Sequence, residues 1–209
     1  MRYLIVKRHG RLVRLLRTSW NVMRSPSHFR SASGFSLIEI MLVVCLVGIL
    51  GAMASFQIGS VRPGMLGDGA MRSVMAEFNQ AREMAIAQRR KMQVNFVGTN
   101  HIQVVRIDSA TTTTQLRDVA FESGVQYGLV ASIADTPDAF GKLSAQSFGG
   151  AATIRFNTEG ALIDPSGAPV NGTVFLIIPG QNLSYRAVTV QGSTGRVRGF
   201  KWIGNQWRR

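Results

Sequence analysis

An uninterrupted apolar run, FSLIEIMLVVCLVGILGAMASFQI, extends from Phe35 to Ile58, and Glu39 is its only formal charge. A helix of about 22 residues rises about 33 Å, enough to cross the hydrocarbon core of a bilayer. Of the 24 Lys and Arg residues, eight lie within residues 1–34, where there is no acid. That asymmetry predicts a cytoplasmic N-terminus and a chain body on the far side. The formal net charge of +13 is therefore not the signature of one basic domain, because the segment before the run carries most of it.

Three roles for the run compete: a signal anchor, a secretory signal peptide cut after Ala54 in Ala52-Met53-Ala54, or a mature N-terminus exposed by cleavage just upstream. A carboxylate in lipid is costly and serves no purpose in an ordinary signal peptide. Gly34-Phe35-Ser36-Leu37-Ile38-Glu39 resembles the prepilin motif, with Gly, aromatic, Leu and Glu in register with the run. The resemblance implies a prepilin peptidase that cuts after Gly34 and methylates Phe35. It also implies a place in the inner membrane, and a filament of pilins or pseudopilins in which Glu39 sits near a neighbour's N-terminal amine. The expected organisation is a basic leader at 1–34, a membrane and filament-core helix at 35–58, and a periplasmic head at 59–209. Translation from Met23 would shorten the leader to MRSPSHFRSASG. Cys45, the only cysteine, excludes a disulfide framework and reads as a small apolar residue of the anchor.

Pro63-Gly64 and Gly67-Asp68-Gly69 predict a flexible break after the anchor. A second, amphipathic helix is expected over 70–90, with Met71, Val74, Met75, Phe78, Ala81 and Ala85 on one face. Asp68 would cap its start, and Arg89-Arg90-Lys91 suit its C-terminal dipole. The period then changes to two. Strands are expected at 92–96, 102–107, weakly at 125–130, at 154–157, 174–178, 185–191 and 196–202, with a polar tip at 111–114 and a loop over 132–151. The continuous apolar stretch Val174–Ile178 fits a strand buried on both faces. The class is α+β, a long helix laid on an antiparallel sheet.

Three short motifs point to a branch. Gln80-Ala81-Arg82-Glu83-Met84-Ala85-Ile86, Ile154-Arg155-Phe156-Asn157-Thr158-Glu159-Gly160 and Gly195-Arg196-Val197-Arg198 resemble the helix, the strand-turn and the "GRxR" ending of FimT/GspH minor pilins and pseudopilins. The resemblance spans about 35–200. It implies either a minor component of a type II secretion pseudopilus or a minor type IV pilin, some of which bind DNA through the GRxR segment.

No acid follows Asp164, whereas Arg186, Arg196, Arg198, Lys201, Arg208 and Arg209 do. In a strand, Arg196 and Arg198 project to one side about 6.6 Å apart, a spacing that suits successive phosphates. Lys201, Arg208 and Arg209 add charge, and Phe200, Trp202 and Trp207 offer stacking surface. Sequence-independent DNA contact is the expectation. The alternatives are a purely structural pseudopilin contact and a solvated edge strand kept soluble by charge. No phosphate loop, Cys-x-x-Cys, His-x-x-x-His or nucleophile elbow occurs. Asp135 and Asp138 read as loop caps rather than calcium ligands. Neither an enzyme nor a cofactor or metal is expected.

Overall fold

The computed structural model describes residues 34–121, 124–151 and 153–209, with the side chains of 56–60 outside that description. All of the expected leader but Gly34, and the alternative start at Met23, lie outside the described residues. One helix, α1, runs from Leu37 to Gln88, where the sequence predicts two helices and a break. Leu37–Ser55 is long and apolar enough to cross a membrane. Pro63 lies inside the helix without ending it. A proline deletes one i→i−4 bond, and each helical glycine costs about 1 kcal/mol against alanine. The head offsets both losses by packing directly onto this stretch. An ideal Cβ at Gly67 would collide with the Ser184 carbonyl oxygen, so only glycine lets the two backbones approach so closely. The Gly/Pro cluster is thus a docking seam rather than a linker.

The helix ends where Arg89 turns into the left-handed region, at φ 51°. The Arg90 N–H then reaches back to the Ala85 carbonyl, closing the last turn.

Among the described residues, eleven strands follow: β1 Met92–Val97, β2 His101–Ile107, β3 Thr113–Ala120, β4 Gln126–Tyr127, β5 Gln146–Ser147, β6 Ile154–Phe156, β7 Leu162–Ile163, β8 Gly172–Ile177, β9 Arg186–Gln191, β10 Arg196–Trp202 and β11 Trp207–Arg208. They form two antiparallel sheets, ordered β3-β2-β1-β6-β7 and β11-β10-β9-β8-β4, with β5 paired to β8. The polar tip expected at 111–114 is half right: Thr111 and Thr112 stay in the turn, while Thr113 and Thr114 begin β3. Its TTQLRDVA sequence lacks strict alternation, and pairing with β2, through a register shift at Val104/Val105, makes it a strand.

One core joins the helix to both sheets. Ala70, Val74, Phe78, Ala81 and Ala85 meet Met92, Val94, Ile102, Val104, Ile154, Phe156, Val174, Leu176, Val188 and Val190, all buried. Phe78 sits at its centre, with ring centroids 6.3 Å from both Phe96 and Phe156. β8 is buried on both faces, as its continuous apolar sequence predicts. Its second face carries Phe175, which clusters with Ala187 and Phe200. The segment between β4 and β5 lies over that face. Trp207 Nε1 donates to the Ala134 carbonyl at 2.8 Å, and Thr189 Oγ1 donates to Asp138 Oδ2 at 2.6 Å.

Candidate filament-core and nucleic-acid interfaces

At the N-terminal site, Ser36 caps α1. The Glu39 N–H donates to Ser36 Oγ at 3.2 Å and to the Ser36 carbonyl at 3.1 Å. Ser36 and Glu39 stand in the spacing of a capping box, and an acid in the first turn is favoured by the helix dipole. Glu39 therefore has a local helix-starting role besides any contact with a neighbour, which the reading of the motif overlooked. Gly34, Phe35 and Glu39 are exposed.

The C-terminal basic segment does not form one stripe. β10 runs antiparallel to α1, and three contacts set its direction. At its start, the backbone of Gly195 packs on Arg82: an ideal Cβ there would lie 2.8 Å from Arg82 Cδ and would collide with the Gly160 carbonyl oxygen. Midway, a Cβ on Gly199 would sit 2.7 Å from Met75 Sδ and 2.9 Å from Met71 Sδ. At its end, Lys201 pairs across β9 with Arg186, which binds the helix at Gly64 and Asp68. Arg196 and Lys201 thus stand toward opposite ends of β10, about 17 Å apart at 3.3 Å per residue.

Each predicted contact residue has its own surroundings. Arg196, Lys201, Arg208 and Arg209 are exposed. Arg198 is half-buried, and its Nη1 donates to Asp138 Oδ1 in an ion pair. Asp138 is therefore not a loop cap; Asp135 is, accepting from the backbone N–H of Thr136 at 2.7 Å and of Gly141 at 3.0 Å. Phe200, expected as stacking surface, is buried against Phe175 and Ala187. The strand parity is as predicted; the segment between β4 and β5 covers that side of the sheet and turns an exposed face into a second core. Trp202 is half-buried, with its ring 5.3 Å from that of Trp207. Of the paired arginines, only Arg196 keeps a guanidinium free of an ion pair among the described residues.

The three branch motifs converge on Arg82. Its Nε donates to the Gly160 carbonyl at 3.2 Å, and Gly160 and Gly195, both at positive φ, press against its side chain. The glycine of Gly195-Arg196-Val197-Arg198 is thus required by packing and backbone conformation, whatever the arginines contact. Nothing in the motif spacing announces this node, because residues 82, 160 and 195 meet only through the fold.

Two ion pairs also escaped the sequence reading. Arg186 is fully buried. Its Nε donates to Asp68 Oδ1 at 2.6 Å, Nη2 to the Gly64 carbonyl at 2.8 Å, and Nη1 to the Leu183 and Tyr185 carbonyls at 2.8 and 2.9 Å. Asp68, expected to cap a helix start, instead lies within α1 as partner to Arg186. Buried Glu77 accepts a bidentate pair from Arg117 of β3, at 2.7–3.0 Å, and ties that edge strand to the helix. His101 Nδ1 lies 3.1 Å from Asp118 Oδ1, and Asp118 also accepts from Gln103 at 3.0 Å. Both bonds hold Asp118 below the usual aspartate value, His101 first. Asp108 is likewise lowered, by its hydrogen bonds from Thr114 and then Arg106. Among the described residues, no three His, Cys, Asp or Glu side chains come together as a metal set.

A long N-terminal helix packed on antiparallel sheets is the α+β architecture of a pilin-like protein. Residues 70–195 match the family described as Type II transport protein GspH, and the chain belongs to that family. Among solved structures it is similar to the type IV minor pilin FimU of Pseudomonas aeruginosa, at 14% identity and TM-score 0.46, covering 68% of this chain and 92% of that one. It is also similar to the minor pseudopilin EpsH of the Type 2 Secretion System of Vibrio cholerae, at 15% identity and TM-score 0.45, covering 68% and 99%. No curated protein matches the chain.

Proposed function

We propose that this chain is a minor pilin or pseudopilin, a filament subunit of a type II secretion or type IV pilus machine rather than an enzyme. One observation carries the reading: a GspH-family head grows from a helix whose apolar first half holds a single acid, Glu39, in its first turn. Leu37–Ser55 anchors the subunit in the inner membrane, with the N-terminus cytoplasmic and the head periplasmic. Prepilin peptidase cuts after Gly34 and methylates Phe35. The freed amine and Glu39 of neighbouring subunits then pair in a medium where unpaired charge is expensive, which registers the helix bundle. Co-expression with a prepilin peptidase tests this. Intact-mass measurement should give a chain beginning at Phe35 and one methyl heavier, and Gly34→Leu should abolish the shift. Glu39→Val should leave processing intact and remove crosslinks to partner pilins. An unprocessed wild-type chain would refute the reading.

A second reading, sequence-independent DNA contact in DNA uptake, draws on the acid-free, base-rich stretch after Asp164. Arg196, Lys201, Arg208 and Arg209 are exposed, whereas Arg198 is engaged by Asp138 and Phe200 is buried. The test is titration of the detergent-solubilised chain into duplex DNA at two salt concentrations, beside Arg196→Ala/Arg198→Ala. Binding that weakens with salt, as counterion release requires, and fails in the variant supports it. Absence of binding at low salt leaves the purely structural pseudopilin.

A further inference from the structure

We propose that the end of the head nearest the membrane span is a docking surface for anionic phospholipid headgroups. The inference rests on the reading of Leu37–Ser55 as the anchor. Because β10 runs back along α1, its basic end returns to the level of Gly64 and Asp68, where Arg186 meets the helix. Asp68 lies thirteen residues beyond Ser55, about 20 Å along the helix at 1.5 Å per residue, and Val61 lies about 9 Å along it. Polar headgroups extend about 5–8 Å beyond the hydrocarbon on each side, so Val61 stands at their outer edge, and the level of Gly64, about 14 Å beyond Ser55, lies within about a Debye length of them.

The exposed residues gathered there suit that neighbour. Lys201 and Arg208 are directly opposed across β10 and β11, and Arg209 follows. Arg62 adds a cation at the same level of α1. Of the acids in this region, Asp68 is committed to Arg186, and Asp135, next to the Ala134 that Trp207 binds, accepts from the backbone of Thr136 and Gly141; residues 165–209 contain no acid. The apolar partners are equally specific in place: Val61 is 56% exposed, Met65 69% and Leu183 58%. Leu183 is carried by the same 3-10 turn that meets the helix at Gly64. Half-buried Trp202 and Trp207 alternate with Lys201 and Arg208 along β10 and β11 and point to the other face of the sheet, where Trp207 packs on Phe175; they serve as reporters of this end of the head. Cations and apolar side chains at one level of a helix just beyond its span complement an anionic lipid surface. They also continue the contact that the span itself makes with the bilayer. Arg196, at the far end of β10, plays no part.

The test uses the full chain carrying Trp20→Phe, which leaves Trp202 and Trp207 as the fluorophores. It is reconstituted into phosphatidylcholine vesicles, with or without about one quarter phosphatidylglycerol, the anionic lipid that sets the surface potential. A headgroup nitroxide lipid serves as quencher. Quenching should be several-fold stronger with phosphatidylglycerol and should fall as salt screens the surface. Lys201→Gln/Arg208→Gln/Arg209→Gln should abolish most of it, each base contributing about five-fold to the contact equilibrium, while Arg196→Gln should leave it unchanged. A chain stripped from vesicles by alkaline carbonate overturns the anchor reading and this proposal with it. A chain that resists stripping yet shows equal quenching on both vesicles overturns the proposal alone. Duplex DNA binding that the triple variant loses, with its quenching unaltered, assigns these bases to DNA instead.

Discussion

The Arg186–Asp68 pair offers the sharpest test of how the head grips the helix, because the two partners are buried unequally. The Arg186 side chain is 0% exposed and that of Asp68 30%. Replacing Asp68 with alanine strands a buried guanidinium with no acid beside it. The three carbonyls of Gly64, Leu183 and Tyr185 still accept from it, so the loss should fall near the low end of the roughly 3–5 kcal/mol typical of breaking a buried pair. Arg186→Met removes the charge along with its hydrogen bonds. Asp68 can then turn to water, and the cost should be about 1–2 kcal/mol. In a chain of this size each kcal/mol moves the midpoint by about 2–4 °C. Thermal unfolding of the detergent-solubilised chain, followed by circular dichroism, should therefore show Asp68→Ala lowered by about 6–12 °C and Arg186→Met by about 2–8 °C. The double variant should resemble Arg186→Met, since removing the arginine removes the stranded charge. A milder effect of Asp68→Ala than of Arg186→Met, or additive losses in the double variant, would refute this account of the seam.

Gly195→Ala places a methyl group against Arg82 and the Gly160 carbonyl at a positive φ, so it should cost about 2–4 kcal/mol; Arg196→Ala should melt within a degree or two of wild type. Glu77→Ala removes the buried partner of Arg117 and should release the β3 edge, seen as faster amide exchange over 113–120 with β8 and β9 still protected. Asp108 and Asp118 titrate below the usual aspartate value in the folded chain. Their contribution is therefore present above about pH 4 and is lost as pH falls through the lowered values. Asp108→Asn should flatten the acid side of the melting-temperature profile and leave the neutral side nearly parallel to wild type.

Much of the molecule was legible because its signals are local. A run of apolar residues long enough to span a bilayer, a change of period from 3.6 to 2, and a continuous apolar β8 each report a one-dimensional property: length, periodicity or two-sided burial. Strands β1, β2, β6, β8, β9 and β10 fall close to where the sequence pattern places them, and the resemblance to the prepilin motif is read in register with the run. β3 escaped because an edge strand with one buried flank needs no alternation; backbone pairing suffices. The α1 seam escaped for a related reason. Pro63, Gly64 and Gly67 break an isolated helix, and only the approach of Ser184 and the buried Arg186 makes them an asset.

The C-terminal segment marks the boundary most clearly. Its charge, its aromatics and the shared parity of Arg196, Arg198 and Phe200 are properties of the sequence and are realised in β10. Which of those side chains meets solvent was decided elsewhere, by a loop some sixty residues upstream that carries Asp138 to Arg198 and helps bury the face holding Phe200. Which end of the strand lies beside Gly64 and Asp68 was decided by chain direction against α1. Sequence patterns encode which way a side chain points along its own element. What it meets there depends on which other element packs over it, and that is a property of the tertiary structure alone.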